Sequence, residues 1–143
     1  MRYLSTHFTL DELTQSQTAA RLGIDNTPTP EVLARLAKLA QGLEGVRVRL
    51  GAPVIISSGF RCLALNRAIG SKDNSAHVSG DAADFICPGV GGPTTIVGAL
   101  KDSGIAFDQL IVEFDRWVHI SFAPTLRNQV LRIDASGTRP LYG

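Results

Sequence analysis

One stretch limits the possible folds more than any other. Between Thr29-Pro30 and Gly51, apolar side chains recur at helical spacing: Leu36, Leu39, Leu43, Val46 and Leu50. Thr29 suits the N-cap, Pro30 the first helical position, where its missing N–H costs no hydrogen bond, and Gly51 the stop. The stripe reads as core rather than as a ligand or partner surface, so this helix is the scaffold on which the rest must pack. A chain of 143 residues has room for one compact domain around one core, and no break in composition marks a second, so residues 1–143 read as a single domain.

The remaining segments are short. Thr9 and Glu12 fit a capping box with Phe8 as staple, predicting a helix over Leu10 to Leu13. Pro53 to Ser57 is a β-branched run that reads as a buried strand ending in a Ser58-Gly59 turn, and a helix follows over Leu63 to Ile69. Gly70 to Ser75 is a polar loop. Asp81 to Cys87, Phe107 to Phe114 and Trp117 to Phe122 read as strands, with a helix over Pro93 to Lys101 and a fifth strand over Gln129 to Ile133. Strands joined partly by hairpins indicate an α+β domain, a mainly antiparallel sheet with flanking helices.

Composition excludes several roles. A formal charge of +1 with scattered arginines gives no field for nucleic acid, and no apolar run approaches a membrane span. Met1 to Thr9 lacks the basic and apolar segments of a secretory signal, which predicts synthesis in the cytoplasm and export by another route. The two cysteines, Cys62 and Cys87, are too few for a disulfide framework and read as free core thiols or as one bridge.

Chemistry concentrates in the second half. Among three histidines, His77 and His119 fall in segments that read as strand ends, and Asp84 follows His77 by seven residues. Imidazole and carboxylate are good zinc ligands, and three protein ligands with one open position is the arrangement of a catalytic zinc. Hydrogen-bonded core residues are the competing reading. Gly80, Ala82 and Ala83 let the backbone pass close to something between His77 and Asp84, which brings the metal reading level with the other and leaves both open. Asp81 reads as a solvated loop carboxylate, Ser75 as a residue that orients His77, and Gln109 as a sheet-edge residue.

Three segments together carry a resemblance: SSGFR at Ser57 to Arg61, SAHVSGDAADF at Ser75 to Phe85, and WVHIS at Trp117 to Ser121. They resemble the M15 zinc peptidases, in which a Ser-x-His-x-x-Gly-x-Ala-x-Asp segment supplies two zinc ligands and a histidine on a later strand the third. The similarity runs from about His7 to Phe122 and is nearest the short, phage-associated branch related to endolysins. It implies the hedgehog/DD-peptidase-like fold, zinc on His77, Asp84 and His119, and Arg61 as the contact to substrate and oxyanion, a role suited to a guanidinium's fixed donors. It implies an enzyme that cuts the stem peptides of bacterial peptidoglycan, at a D-Ala-D-Ala end or an internal bond such as L-Ala-D-Glu; a monomer is the separate expectation for the chain.

The general base departs from the family pattern, because Arg116 stands where many relatives have glutamate three residues before the last ligand. Glu113 and Asp115 remain. A three-residue hairpin, Phe114 to Arg116, would pair Glu113 with Trp117 and set it on the sheet face of His119; a two-residue loop would put it on the other face. A carboxylate ending the apolar run QLIVEF is costly to bury without a role, which favours Glu113. Arg116 also supports a rival reading, a non-catalytic zinc-containing wall-binding or phage structural module. A zinc amidase cutting between sugar and peptide is a third.

Overall fold

Thr29 caps the scaffold helix as its sequence requires, its hydroxyl accepting from Val32 N–H, and the helix runs unbroken over Pro30–Leu50 (α3) to a left-handed Gly51. The computed structural model describes residues 2–122 and 124–142. Leu36, Leu39, Ala40, Leu43 and Val46 are buried along one face of α3, and each leucine so buried contributes roughly 1.5–3 kcal/mol to folding. Before it lie two short helices, α1 (Leu10–Thr14), with the complete Thr9/Glu12 capping box, and α2 (Gln17–Leu22), capped by Ser16. Helix α2 was not anticipated, because six residues with one buried position, Ala19, carry no readable periodicity.

The other elements are β1 (Ile55–Ser58), α4 (Leu63–Ala68), α5 (Ala76–Ser79), β2 (Ala82–Ile86), α6 (Pro93–Leu100), β3 (Gln109–Glu113), β4 (Trp117–Ser121), β5 (Gln129–Asp134) and β6 (Gly137–Pro140). The six strands form one sheet in the order β1-β2-β4-β3-β5-β6. All neighbours are antiparallel except β3 and β5. The fold is the expected α+β class. Helix α3 packs on α6, which packs on β3 and β4.

The pleat divides the sheet into two faces with different tasks. Ile56, Ala83, Phe85, Val118, Ile120, Leu110 and Val112 point into the core, all at most 7% exposed. Their alternates, Asp84, His119, Ile111 and Glu113, occupy the other face in direct register. Among the described residues no helix is long and apolar enough to cross a membrane.

Several expectations need correction. Strand β1 is an edge strand, not a buried one: the pleat turns Ile56 into the core and leaves Ile55, on the opposite face, 49% exposed. Gln109 lies inside the sheet, between β4 and β5, where its side-chain amide donates to Gln129. Asp81 is buried rather than solvated; its carboxylate accepts from Arg35 at 2.6 Å and from Ser79 at 2.7 Å. It thereby ties the start of β2 to the scaffold helix. The cysteines are free thiols, Cys87 in the core and Cys62 half-buried at the N-cap of α4.

Candidate metal centre

The SSGFR segment takes its course because of one glycine. Gly59 lies against the end of α1, where a Cβ would press into the Leu13 carbonyl group, and the next residue, Phe60, donates its N–H to that carbonyl oxygen. A register shift in β1 between Ile56 and Ser58 then sets Ser58 opposite Asp84. Beyond it, Asn26 accepts from Cys62 N–H and donates to the Phe60 carbonyl, fixing the turn that carries Arg61.

His77 sits on the one-turn helix α5, not on a strand end as expected. Ser75 caps this helix by accepting from His77 N–H, and Gly80 ends it at φ 82°, a left-handed conformation that suits glycine. A Cβ on Gly80 would also crowd Val32 of α3 at 3.0 Å, so the motif's glycine answers both needs. The segment is cross-linked to SSGFR twice: Arg61 N–H donates to the His77 carbonyl, and His77 Nδ1 lies 2.7 Å from the Gly59 carbonyl.

That last contact assigns His77's proton. A carbonyl oxygen only accepts, so Nδ1 donates and Nε2 is the nitrogen left to face the cleft. Nε2 faces Asp84 Oδ1 at 3.1 Å, and His119 Nδ1 faces the same oxygen at 3.0 Å. All three side chains are buried. Burial alone would push the Asp84 carboxyl up, but the imidazoles of His77 and His119 hold it well below the usual carboxylate range. An ionised carboxylate facing an imidazole lone pair is repulsive unless a cation, proton or metal, lies between them. The donor atoms of His77, Asp84 and His119 lie within 4.8 Å of one another, a group that could hold a metal ion. Ligands about 2.0–2.1 Å from a tetrahedral zinc stand roughly 3.3 Å apart, so the set fits zinc with little adjustment.

The hairpin after β3 has three residues, Phe114 to Arg116, with Phe114 and Asp115 at positive φ. Glu113 therefore pairs with Trp117 and shares the face of His119. Its Oε1 lies 3.9 Å from His119 Nδ1, and its Oε2 accepts from Trp117 Nε1 at 2.8 Å. Burial, reinforced by the Asp84 charge, pushes the Glu113 carboxyl up, while His119, the Trp117 bond and His77 oppose the rise. Asp115 is placed elsewhere: it is exposed and pairs with Arg132 at 2.7 Å. Nothing in the sequence signals the Trp117 bond, which depends on the hairpin register.

Arg61 enters the same cleft, of about 630 Å3, with His77, Asp84, Glu113, Trp117 and His119. Its Nε donates to Asn66 Oδ1 at 3.1 Å and its Nη1 to Ser58 Oγ at 3.3 Å, so its contacts are neutral rather than a surface ion pair. Burial draws its pKa down, and the charges of Asp84 and Glu113 hold it up. Asn66 is fully buried on α4 and donates to the Lys72 carbonyl at 2.7 Å, which couples Arg61 to the polar loop over the cleft. One asparagine in a helical run gives no spacing signal, so its place was not legible in sequence.

A buried His-Asp-His group, two of its members on adjacent antiparallel strands and His77 on α5, with a carboxylate beside it and a guanidinium across the cleft, defines a candidate hydrolytic metal centre. The family model described as Peptidase M15 matches residues 6–121, and the chain belongs to the M15 peptidase family. Membership makes it a hydrolase of peptide bonds, in a family typically dependent on zinc. No curated protein matches it. Strands β5 and β6 lie beyond the matched residues.

Proposed function

We propose that this protein is a zinc-dependent peptidase that hydrolyses peptide bonds in the stems of bacterial peptidoglycan. In this reading His77, Asp84 and His119 hold the zinc, Glu113 is the general base and Arg61 supports the oxyanion. The observation that carries it is the convergence of two imidazole nitrogens on one oxygen of buried Asp84, 3.1 and 3.0 Å away, with Glu113 on the same face.

When bound, zinc supplies Lewis acidity and brings the pKa of a water to about 7. The side chains supply the rest. The Gly59 carbonyl keeps the His77 proton on Nδ1 and so reserves Nε2 for the metal. Trp117 holds one oxygen of Glu113, leaving Oε1 on the His119 side as proton acceptor. Burial at the edge of the cleft by itself favours the protonated form of Glu113, which suits a group that takes up a proton. Arg61, fixed by Asn66 and Ser58, offers its remaining N–H donors to negative charge developing on the scissile carbonyl oxygen. Asp115, bonded to Arg132 in the exposed hairpin, takes no part.

The test is mass analysis of purified peptidoglycan digested with zinc-loaded, chelated and Glu113→Ala protein. Stem-peptide fragments from the zinc-loaded protein alone support the reading, and their masses name the bond. A zinc-loaded wild type that binds the wall and releases nothing would favour the non-catalytic module. Fragments cut between sugar and peptide would identify an amidase.

A further inference from the structure

Arg61 stands between two cavities rather than at the closed end of one. On one side is the cleft of about 630 Å3 with His77, Asp84, His119 and Glu113. On the other, a cavity of about 550 Å3 opens between the α1–α2 segment and β1. Both have Arg61 and Ile69 in their walls. The second cavity has a polar wall of Gln15, Ser16, Gln17, Thr18, Ser57 and Ser58 and an apolar wall of Phe60, Leu65 and Ile69, and Arg61 is its one charged side chain.

The position of the guanidinium separates two ways of using the cleft. An enzyme that trims a terminal residue recognises a free carboxylate, and a cation that binds the carboxylate marks the end of the substrate. A cavity of 550 Å3 beyond that cation would then have nothing to hold. An enzyme that cuts an internal bond needs room for chain on both sides. Here the arginine is held in its dividing position by Asn66, which is fully buried and itself anchored to the Lys72 carbonyl. Nη1 is held by Ser58, and Nη2 donates to no side chain among the described residues, so it can serve a substrate carbonyl in passing.

We infer that the substrate chain runs past Arg61: the enzyme is an endopeptidase, and the second cavity is a subsite for the uncharged, amide-bearing continuation of the peptide. This rests on the peptidase reading given above. Side-chain amides and hydroxyls both donate and accept, matching the N–H and C=O groups of a peptide. The lining offers no carboxylate to a free amine, and its one cation lies at the shared wall. Gln15 and Gln17 are exposed at the cavity rim, free of the core.

The experiment holds the scissile bond constant and varies the length of chain beyond it. Synthetic stem peptides either stop one residue past the bond with a free carboxylate or continue two residues further, at either end, with blocked termini. Hydrolysis is followed for wild type and for Gln17→Ala/Thr18→Ala. Wild type is expected to favour one extended peptide in kcat/KM by about tenfold, and the double variant to bring that ratio towards one, as loss of two hydrogen-bonding side chains predicts. Release of single residues from the short peptide, with no gain from extension, overturns the inference. So does an extension preference that the double variant leaves intact, or one that appears only when sugar is attached.

Calorimetry of the same peptides on zinc-loaded Glu113→Gln separates this inference from the function beneath it. Extended peptide bound by that protein and weakened about tenfold by the added Gln17→Ala/Thr18→Ala changes supports the subsite even without turnover. If wild type hydrolyses nothing, the peptidase reading and the endopeptidase assignment fall together, and only the subsite is left. Equal binding of short and extended peptides overturns the subsite itself.

Discussion

Gly59→Ala tests how far the fold and the metal group depend on one contact. The added Cβ would press on the Leu13 carbonyl oxygen and meet its carbon at 2.8 Å and the Leu13 Cα at 2.9 Å. These are backbone atoms at the end of α1, so no side-chain rotation relieves the clash. Either α1 or the SSGFR turn must move, and overpacking of this kind costs about 1–3 kcal/mol. For a domain of this size that lowers Tm by roughly 3–9 °C. The same movement disturbs the Gly59 carbonyl that holds His77 Nδ1 at 2.7 Å. Loss of such a supporting bond weakens metal binding about 10–100-fold. Thermal unfolding of the metal-free protein reads the first effect, and competition with a zinc chelator reads the second. A Gly59→Ala protein that melts and binds zinc like wild type would refute the reasoning that the α1 contact sets the position of His77.

Other substitutions separate the roles in the cleft. Glu113→Gln should keep zinc and lose activity by about 10²–10⁴-fold, as expected for removal of a general base. Because Glu113 has its pKa raised in the fold, its deprotonation destabilises the folded state. The associated stability is present below the unfolded pKa and is lost as pH rises through the folded one. Metal-free Glu113→Gln should therefore gain stability at neutral pH relative to metal-free wild type, read by urea unfolding. Asp115→Ala removes an exposed pair with Arg132 and should change stability by less than about 1 kcal/mol and activity not at all, checked by denaturation and fragment assay. Arg35→Ala leaves Asp81 buried with only Ser79 as a side-chain partner, and should cost about 1–3 kcal/mol in urea unfolding, discounted because Arg35 is 44% exposed.

What was legible in the sequence was what has a period or a fixed spacing. Helix α3 is written in its leucine stripe and caps, and strands β2, β3 and β4 in short β-branched or apolar runs. His77, Asp84 and His119 were singled out by the resemblance that SAHVSGDAADF and WVHIS carry, and the fold brings the three together. The features that failed to show depended on partners distant in sequence. Asp81 looks like a loop acid until Arg35, 46 residues away, is brought against it. Helices α2 and α5 are one or two turns long and are held by caps and neighbours rather than by an apolar stripe. Strand β6 is exposed throughout, so no alternation of burial marked it. The face of Glu113 depended on whether the hairpin held two residues or three. Sequence posed that choice, and the positive φ of Phe114 and Asp115 in the three-residue loop resolves it.

The claim on which the functional account depends is that His77, Asp84 and His119 together hold one zinc ion. Diffraction from crystals of the zinc-loaded protein, measured on both sides of the zinc absorption edge, tests it most directly. The account predicts a single anomalous peak bounded by His77 Nε2, the Asp84 carboxylate and His119 Nδ1, absent from crystals of His119→Ala. A peak elsewhere, or none at full zinc loading, would contradict it.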